Sequence, residues 1–333
     1  MAAGVRQVGP FQVAPVGFGC MNLSHAYGVP PSVEEGARLL RHARETGYNL
    51  FDTAALYGFG KNEMLIGEAL AGQRDDFVLA SKCGMAANAE GKREINGHPD
   101  VIRATCEASL KRLRTDVIDI YYLHRWDKNY PVEDQVGALA ELKAAGKIRA
   151  IGISEVSVAT LRKAHATHPI DAIQSEYSLW TRNADQGMLA ATQELGIAFV
   201  AFSPVGRGFL SGKLRSNEFA PGDIRRPMPR FIGAAFDANL TLLDGFAVIV
   251  AGVGCTMAEL AIGWVLARAP HIVALPGTTN AKHIDENWRG QFVDVSADVM
   301  QRLDELFVGH VQGNRYPASV RAEIDTEEYA GNE

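Results

Sequence analysis

The stretch Gly47-Tyr48-Asn49-Leu50-Phe51-Asp52-Thr53-Ala54-Ala55-Leu56-Tyr57-Gly58 decides the fold. Its short apolar run, Leu50–Thr53, reads as a strand with Asp52 near its end, and Tyr57 follows in a loop flanked by Gly58 and Gly60. The construction recurs downstream. Phe77–Ser81 is an apolar run followed by Lys82, and Val117–Leu123 is one followed by His124. Helical patterns lie between them: Lys61–Ala71, with Met64, Leu65 and Ala69 on one apolar face, and Pro99–Leu113, with proline in its first turn. Repeated strand-then-helix units require parallel strands joined by right-handed crossovers.

The rhythm extends in both directions. Val5–Val8 and Phe11–Ala14 flank Gly9-Pro10 and read as an N-terminal hairpin, and Val16–Gly19 is a short strand. Ser32-Val33-Glu34-Glu35 spells a capping box that opens a helix to about Thr46, ended by Gly47. Pro131–Ala145 places Val132, Val136, Leu139 and Leu142 on one face, with Gly146 as a left-handed cap. Strands Ile148–Ile153, Ala172–Ser175 and Ile197–Phe202 alternate with helices near Ser157–Thr167 and Asp185–Leu195. The stretch from Gly206 to about Phe236 is a long Gly-, Pro- and Arg-rich excursion, of the kind that is usually functional. Helical stretches at about 237–250 and 257–267 lead to strand Ile272–Leu275, a helix from near Asn280 and a further helix from about Val295. Eight strands with helical crossovers predict an α/β fold: a (β/α)8 TIM barrel with an N-terminal β-hairpin, a long loop after strand 7 and a C-terminal extension. No linker interrupts the pattern, so residues 1–333 read as a single domain.

Composition narrows the function. A formal net charge of −6 disfavours nucleic acid as a partner, because phosphate binding wants a basic face. Cys20, Cys83, Cys106 and Cys255 form no C-x-x-C pair and no disulfide framework, which fits a reducing cytoplasm and small buried hydrophobes. The start, Met1-Ala2-Ala3-Gly4-Val5-Arg6, lacks the layout of a leader, and no segment reads as reaching the ~18 apolar residues of a membrane span. Cytoplasmic localisation is expected, with no membrane partner.

In a barrel the C-terminal strand ends meet at the top face, so Asp52, Lys82 and His124 become neighbours there, with Tyr57 aimed inward by its glycines. Singly, each has a bland reading: a salt bridge, a structural histidine, a loop anchor. Jointly they suit carbonyl reduction, which needs a hydride and a proton on oxygen. A phenol is a weak acid at neutral pH, and the Lys82 ammonium is expected to lower its pKa. Asp52 holds Lys82 ionised, and His124 donates a hydrogen bond to the substrate carbonyl. Clustered His and carboxylate ligands for a metal hydrolase are missing, so no metal is expected.

These stretches resemble the aldo-keto reductase family. The match rests on 47–58, Lys61-Asn62-Glu63 with Gly67 and Leu70, Leu79–Lys82, Asp119–His124, Gly146–Ser154, Ser203–Leu210 and Pro276–Thr279. The resemblance implies an NAD(P)H-dependent reductase, reversible toward alcohol oxidation, whose tetrad falls on Asp52, Tyr57, Lys82 and His124. It implies a cofactor site of Gly19, Met21 and Asp52, with Ser154 and Gln174 on the carboxamide, although Glu155 stands where the family usually has Asn. Phe202 stacks on nicotinamide in place of the frequent Tyr, and Ser203, Pro204, Val205, Gly206, Arg207, Gly208 and Leu210 wrap the pyrophosphate with Lys213 adding charge. Pro276, Gly277, Thr278 and Thr279 lead to the adenosine side. There Asn280 and His283 occupy frequent basic positions, Lys282 lies between them, and Glu286-Asn287 matches the adenine-side pair. NADPH is the expected cofactor, with weaker discrimination against NADH than the family norm. Substrate contacts are expected from Met21, Tyr57, His124, Trp126, the 206–236 excursion and the tail, with Phe231 adding to an apolar pocket. Oligomeric state is not legible.

Rival readings fail on context. Gly17-Phe18-Gly19 begins a dinucleotide fingerprint but lacks the third glycine and a following helix. Tyr57 and Lys61 have Tyr-x-x-x-Lys spacing, which works only on a helix, and Gly58 and Gly60 argue against one. The alternative from another class is a cofactor-binding sensor with little turnover, against which the intact tetrad speaks.

Overall fold

A computed structural model describes residues 4–24, 26–88 and 90–328. Met1, Ala2 and Ala3, part of the uncharged start, lie outside them. Strands β1 (Arg6–Val8) and β2 (Phe11–Val13) pair antiparallel across Gly9-Pro10. Eight parallel strands follow: β3 (Phe18–Gly19), β4 (Leu50–Asp52), β5 (Val78–Cys83), β8 (Ile118–Leu123), β9 (Ile148–Ser154), β10 (Ala172–Glu176), β11 (Ala198–Phe202) and β12 (Ile272–Leu275). Between β5 and β8 lies a small hairpin, β6 (Met85–Ala87) with β7 (Arg93–Ile95), which the sequence pattern did not signal. The barrel closes between its first and last strands. Gly17 N donates to Ala274 O and Gly19 N to Pro276 O, both at 2.9 Å. A Cβ on Gly277 would stand 2.6 Å from the Gly19 carbonyl oxygen, so this seam admits only glycine without adjustment.

Successive side chains on a strand point to opposite faces. Leu50, Val78, Ala80, Ile120, Tyr122, Ala150, Ala172, Val200 and Val273 fill the barrel interior, and Val8 and Val13 of the hairpin join this cluster. Their alternates, among them Phe51, Leu79, Tyr121, Ile151, Ile173 and Phe199, pack outward into the core shared with the helices. Gly152 gives Tyr122 its room: the two are register partners, and a Cβ there would fall 2.1 Å from the tyrosine ring.

The helices follow the sequence with instructive departures. In α1 (Val33–Thr46) the Ser32 hydroxyl accepts from Glu35 N at 3.2 Å, but Glu35 turns to Arg38 instead of completing the expected capping box. A full box occurs at α8 (Met257–Ala267), where Thr256 and Glu259 satisfy one another. In α2 (Lys61–Ala69) Met64 is exposed and Ile66 is buried with Leu65 and Ala69, because the helix packs against both α1 and α3 (Pro99–Leu113). Helices α4 (Val132–Ala144), α5 (Val158–Thr167) and α6 (Met188–Leu195) cover the next crossovers. The loop after β11 ends earlier than expected, since α7 spans Gly233–Val253. Contrary to the expectation of no such segment, α7 is long and apolar enough, by length and composition, to cross a membrane. Here it buries Phe236, Leu243, Phe246 and Ile249 on one face and packs against α10 (Ala297–Phe307). Helix α9 (Ala281–Arg289) and the short α11 (Ala318–Arg321) complete the chain.

Candidate active site

The inward alternation that fills the barrel with apolar side chains ends, at its top layer, on polar ones: Asp52, Lys82, Ser154 and Gln174, with His124 just past β8. Lys82 is fully buried. Its ammonium donates to Asp52 Oδ1, to Thr53 O at 2.8 Å and to the Tyr57 hydroxyl at 3.3 Å, which uses its three N–H groups. Gln174 Nε2 donates to the other Asp52 oxygen at 2.8 Å. The His124 ring stands edge-on to Tyr57, with centroids 5.9 Å apart.

Tyr57 reaches this layer because the chain after β4 coils tightly, with left-handed residues at Gly58, Phe59 and Gly60. Buried Asn62 clamps that coil, accepting from Thr53 Oγ1 at 2.7 Å and donating to Cys20 O and Ser24 Oγ at 2.9 Å. Lys61 is exposed and takes no part, so the Tyr-x-x-x-Lys spacing is coincidental.

The electrostatics differ from expectation in one respect. Burial pushes the Tyr57 phenol above its ordinary value, while Lys82 and, more weakly, Arg125 pull it down and Asp52 adds to the rise. The ammonium acts in the expected direction but desolvation is larger. For Lys82 burial opposes the charge, yet Asp52 and Tyr57 together raise its pKa. The phenol therefore keeps its proton and the amine its charge at neutral pH.

The layer opens into a cavity of about 590 Å³, the size of a ligand site. It brings together Gly19, Met21, Asp52, Tyr57, His124, Ser154, Gln174 and Phe202 with Pro276, Gly277, Thr278, Thr279, His283, Glu286 and Asn287. Ser203, Pro204, Val205, Arg207 and Gly208 line it as well. Ser203, Gly206, Arg207 and Gly208 are all left-handed, a local strain of the kind found at ligand clamps.

Several expected residues do not themselves line the cavity. Lys82 lies behind Asp52 and Tyr57, off the surface. Leu210 is buried in the core and Gly206 lies under the loop. Lys213 sits outside the wall, 3.2 Å from His283 Nε2. Asn280 caps α9, accepting from Lys282 N at 3.0 Å, and neither lines the cavity. Arg207 does line the cavity, with its guanidinium donating to Glu176 Oε2 and to the Tyr316 hydroxyl, both at 2.7 Å. Trp126 is withdrawn from the substrate end because its indole N–H donates to Tyr130 O at 3.0 Å. Phe231 stacks on Trp180 in the core.

Residues 15–307 match the model of the aldo/keto reductase family. The chain belongs to that family. A probable aldo-keto reductase of Glycine max is 38% identical, over 92% of this chain and 89% of that protein. An aldo-keto reductase of Schizosaccharomyces pombe, named with NADP(+), is 37% identical over 97% of both. Among solved structures, a glycerol dehydrogenase of Gluconobacter oxydans superposes with a TM-score of 0.86 at 28% identity, covering 93% of this chain and 97% of that one. An aldo/keto reductase of Klebsiella pneumoniae, in complex with NADP and acetate, gives 0.72 at 25% identity, covering 95% and 99%. As an aldo/keto reductase the chain is an oxidoreductase acting on carbonyl and CH–OH groups.

The departure at Glu155 has a structural reason in this aldo/keto reductase. Glu155 adopts a left-handed backbone, accepts from Glu176 N at 2.9 Å and pairs with Arg315, so it faces the C-terminal segment and does not line the cavity. Sequence reasoning missed Asn22, Tyr27 and Arg125, which line the cavity from loops, whereas Arg225 and Met228 fall in the 206–236 excursion and Tyr316 in the tail, the segments expected to reach the pocket. Only Arg125 carried a signal, as a charge directly after the strand-end His124.

Proposed function

We propose that this chain reduces an aldehyde or ketone to the alcohol with NADPH, and reverses the reaction with a suitable alcohol, Tyr57 being the proton donor. The carrying observation is the contact of the Lys82 ammonium with both the Tyr57 hydroxyl and Asp52. NADPH, when bound, supplies the hydride.

The residues present fit that cofactor: the cavity extends continuously from Asp52 to Asn287 beside a strained, glycine-bearing loop. Ser154 Oγ and Gln174 Oε1 would hold the carboxamide, Gln174 keeping its N–H on Asp52. Phe202 offers an aromatic face to the nicotinamide ring. The backbone of 203–208 offers amides to the pyrophosphate. His283 with Lys213, the start of α9, and Glu286 with Asn287 would meet the adenosine end. The name of the Schizosaccharomyces pombe relative and the NADP of the Klebsiella pneumoniae structure support this choice.

The chain's own part is the proton. His124 presents a ring N–H to the carbonyl oxygen and fixes it beside the Tyr57 hydroxyl. Tyr57 Oη passes its proton to that oxygen, and the phenolate left behind is stabilised by Lys82, which Asp52 keeps charged. Water then returns a proton to Tyr57. We read residues 1–333 as one domain working in the cytoplasm, where its four cysteines, all free thiols, stay reduced. Loss of 340 nm absorbance from NADPH against a panel of aldehydes and ketones tests the reading. Tight NADPH binding with no turnover of any of them would overturn it.

A further inference from the structure

Four arginines line the cavity. Three are neutralised: Arg93 by Glu323, Arg207 by Glu176 and Arg225 by Asp223. Arg125, half-buried, has no carboxylate within 4.0 Å among the described residues. Its hydrogen bonds use Nη1 alone, which donates to His124 O at 2.6 Å and to Ser154 Oγ at 3.3 Å. Those two bonds fix the guanidinium between the substrate-end histidine and the top of β9. They leave the Nε–Nη2 edge of the fork for a ligand. Arg125 is also close enough for its charge to act on the Tyr57 phenol.

The charges at this end do not cancel. The cavity-lining acids are Asp52 and Glu286. Asp52 is saturated by Lys82 and Gln174. Glu286 stands on α9 and faces Lys213, 3.9 Å away. Lys82 and Asp52 balance one another, so Arg125 leaves the reacting end with one unmatched positive charge.

We propose that Arg125 is a substrate-specificity residue and that the natural substrate is a carbonyl compound carrying a carboxylate. The proposal rests on the carbonyl-reduction reading above and names its substrate class. A guanidinium edge with two parallel N–H donors matches the two oxygens of a carboxylate. The fork is held beside His124, so it orients the anion while the carbonyl oxygen reaches Tyr57. Glu155 takes no part, being bound to Arg315.

The test compares 4-carboxybenzaldehyde with 4-methylbenzaldehyde, which replaces the carboxylate by a neutral methyl, at saturating NADPH. The readout is the ratio of their kcat/KM values in the wild type, Arg125→Met and Arg125→Lys. The ratio is expected to fall by about thirtyfold or more in Arg125→Met and to recover most of that in Arg125→Lys. A ratio unchanged within about threefold in Arg125→Met overturns the proposal. Calorimetric titration of benzoate onto the NADP+-saturated protein supplies a readout free of turnover. Benzoate is expected to bind the wild type and to be lost in Arg125→Met, and equal binding to both, or none to the wild type, counts against the site. If neither aldehyde is reduced yet benzoate binding still depends on Arg125, the reduction reading fails and the anion site stands.

Discussion

Arg315 and Glu155, 160 residues apart in sequence, meet as a two-point ion pair: Nη1 donates to Oε1 at 3.2 Å and Nη2 lies 2.8 Å from Oε2, with side chains 4% and 0% exposed. The pair ties the segment carrying Tyr316, which lines the cavity, to the end of β9 beside Ser154. Removing one partner strands a buried charge, which costs about 3–5 kcal/mol. Arg315→Ala is expected to lose that much in urea unfolding, and a loss under ~1 kcal/mol would show the carboxylate finding water instead.

Tyr57→Phe keeps the ring and removes only the transferable proton. kcat for aldehyde reduction is expected to drop by about 10²–10⁴-fold, while NADPH affinity changes little. Stopped-flow turnover together with fluorescence titration separates the two. Intact turnover would remove Tyr57 from the mechanism.

The pH dependence follows from the phenol. In the proposed mechanism reduction needs Tyr57 protonated, and burial, only partly offset by Lys82, holds its pKa above 10.0. kcat/KM for reduction is therefore expected to stay flat through neutral pH and to fall only on the alkaline side of that value. Oxidation of an alcohol, which needs the phenolate, rises with pH over the same range. Because Lys82 pulls the pKa down, Lys82→Met is expected to move both limbs to higher pH, and a move to lower pH would contradict the assignment.

The barrel and the tetrad were legible because both rest on local periodicity. An apolar strand that ends on Asp52, Lys82 or His124 announces itself, and register carries each such end to the same layer. The cavity's outer wall was legible only in part. The 206–236 excursion and the tail were expected there as segments, but which of their residues, such as Met228 and Tyr316, reach the wall, and that Tyr27 joins them, depends on tertiary packing that no period encodes. Trp126 was expected at the cavity and does not line it, its indole N–H being spent on the Tyr130 carbonyl, while Arg207 lines it with its guanidinium on Glu176. Ser32 and Glu35 show the limit of motif reading, since Arg38 competes for the glutamate.

Two glycines have a checkable steric role. A methyl on Gly277 would meet the Gly19 carbonyl oxygen and one on Gly152 would meet the Tyr122 ring. Overpacking of this kind costs about 1–3 kcal/mol. Thermal unfolding of Gly277→Ala and Gly152→Ala is expected to show it. Tyr122→Leu should relieve the second variant but not the first.

His283 lines the cavity and is proposed to meet the adenosine end of the cofactor. Burial lowers its pKa, Lys213 lowers it further, and Glu286 opposes them. The imidazole is then uncharged at neutral pH and offers little to an adenosine 2′-phosphate. The wild type is expected to prefer NADPH over NADH by less than about 100-fold, and His283→Arg to widen the gap by about tenfold. Titration with both nucleotides measures this, and a larger wild-type preference would contradict it.

Tyr27, Met228, Tyr316, Pro317 and Val320 line the cavity, and none of them belongs to a barrel strand. The outer wall and the Asp52–Lys82–Tyr57 layer are thus built from separate parts of the chain, so exchanging a few peripheral side chains is expected to change which compound fits while leaving those buried contacts in place.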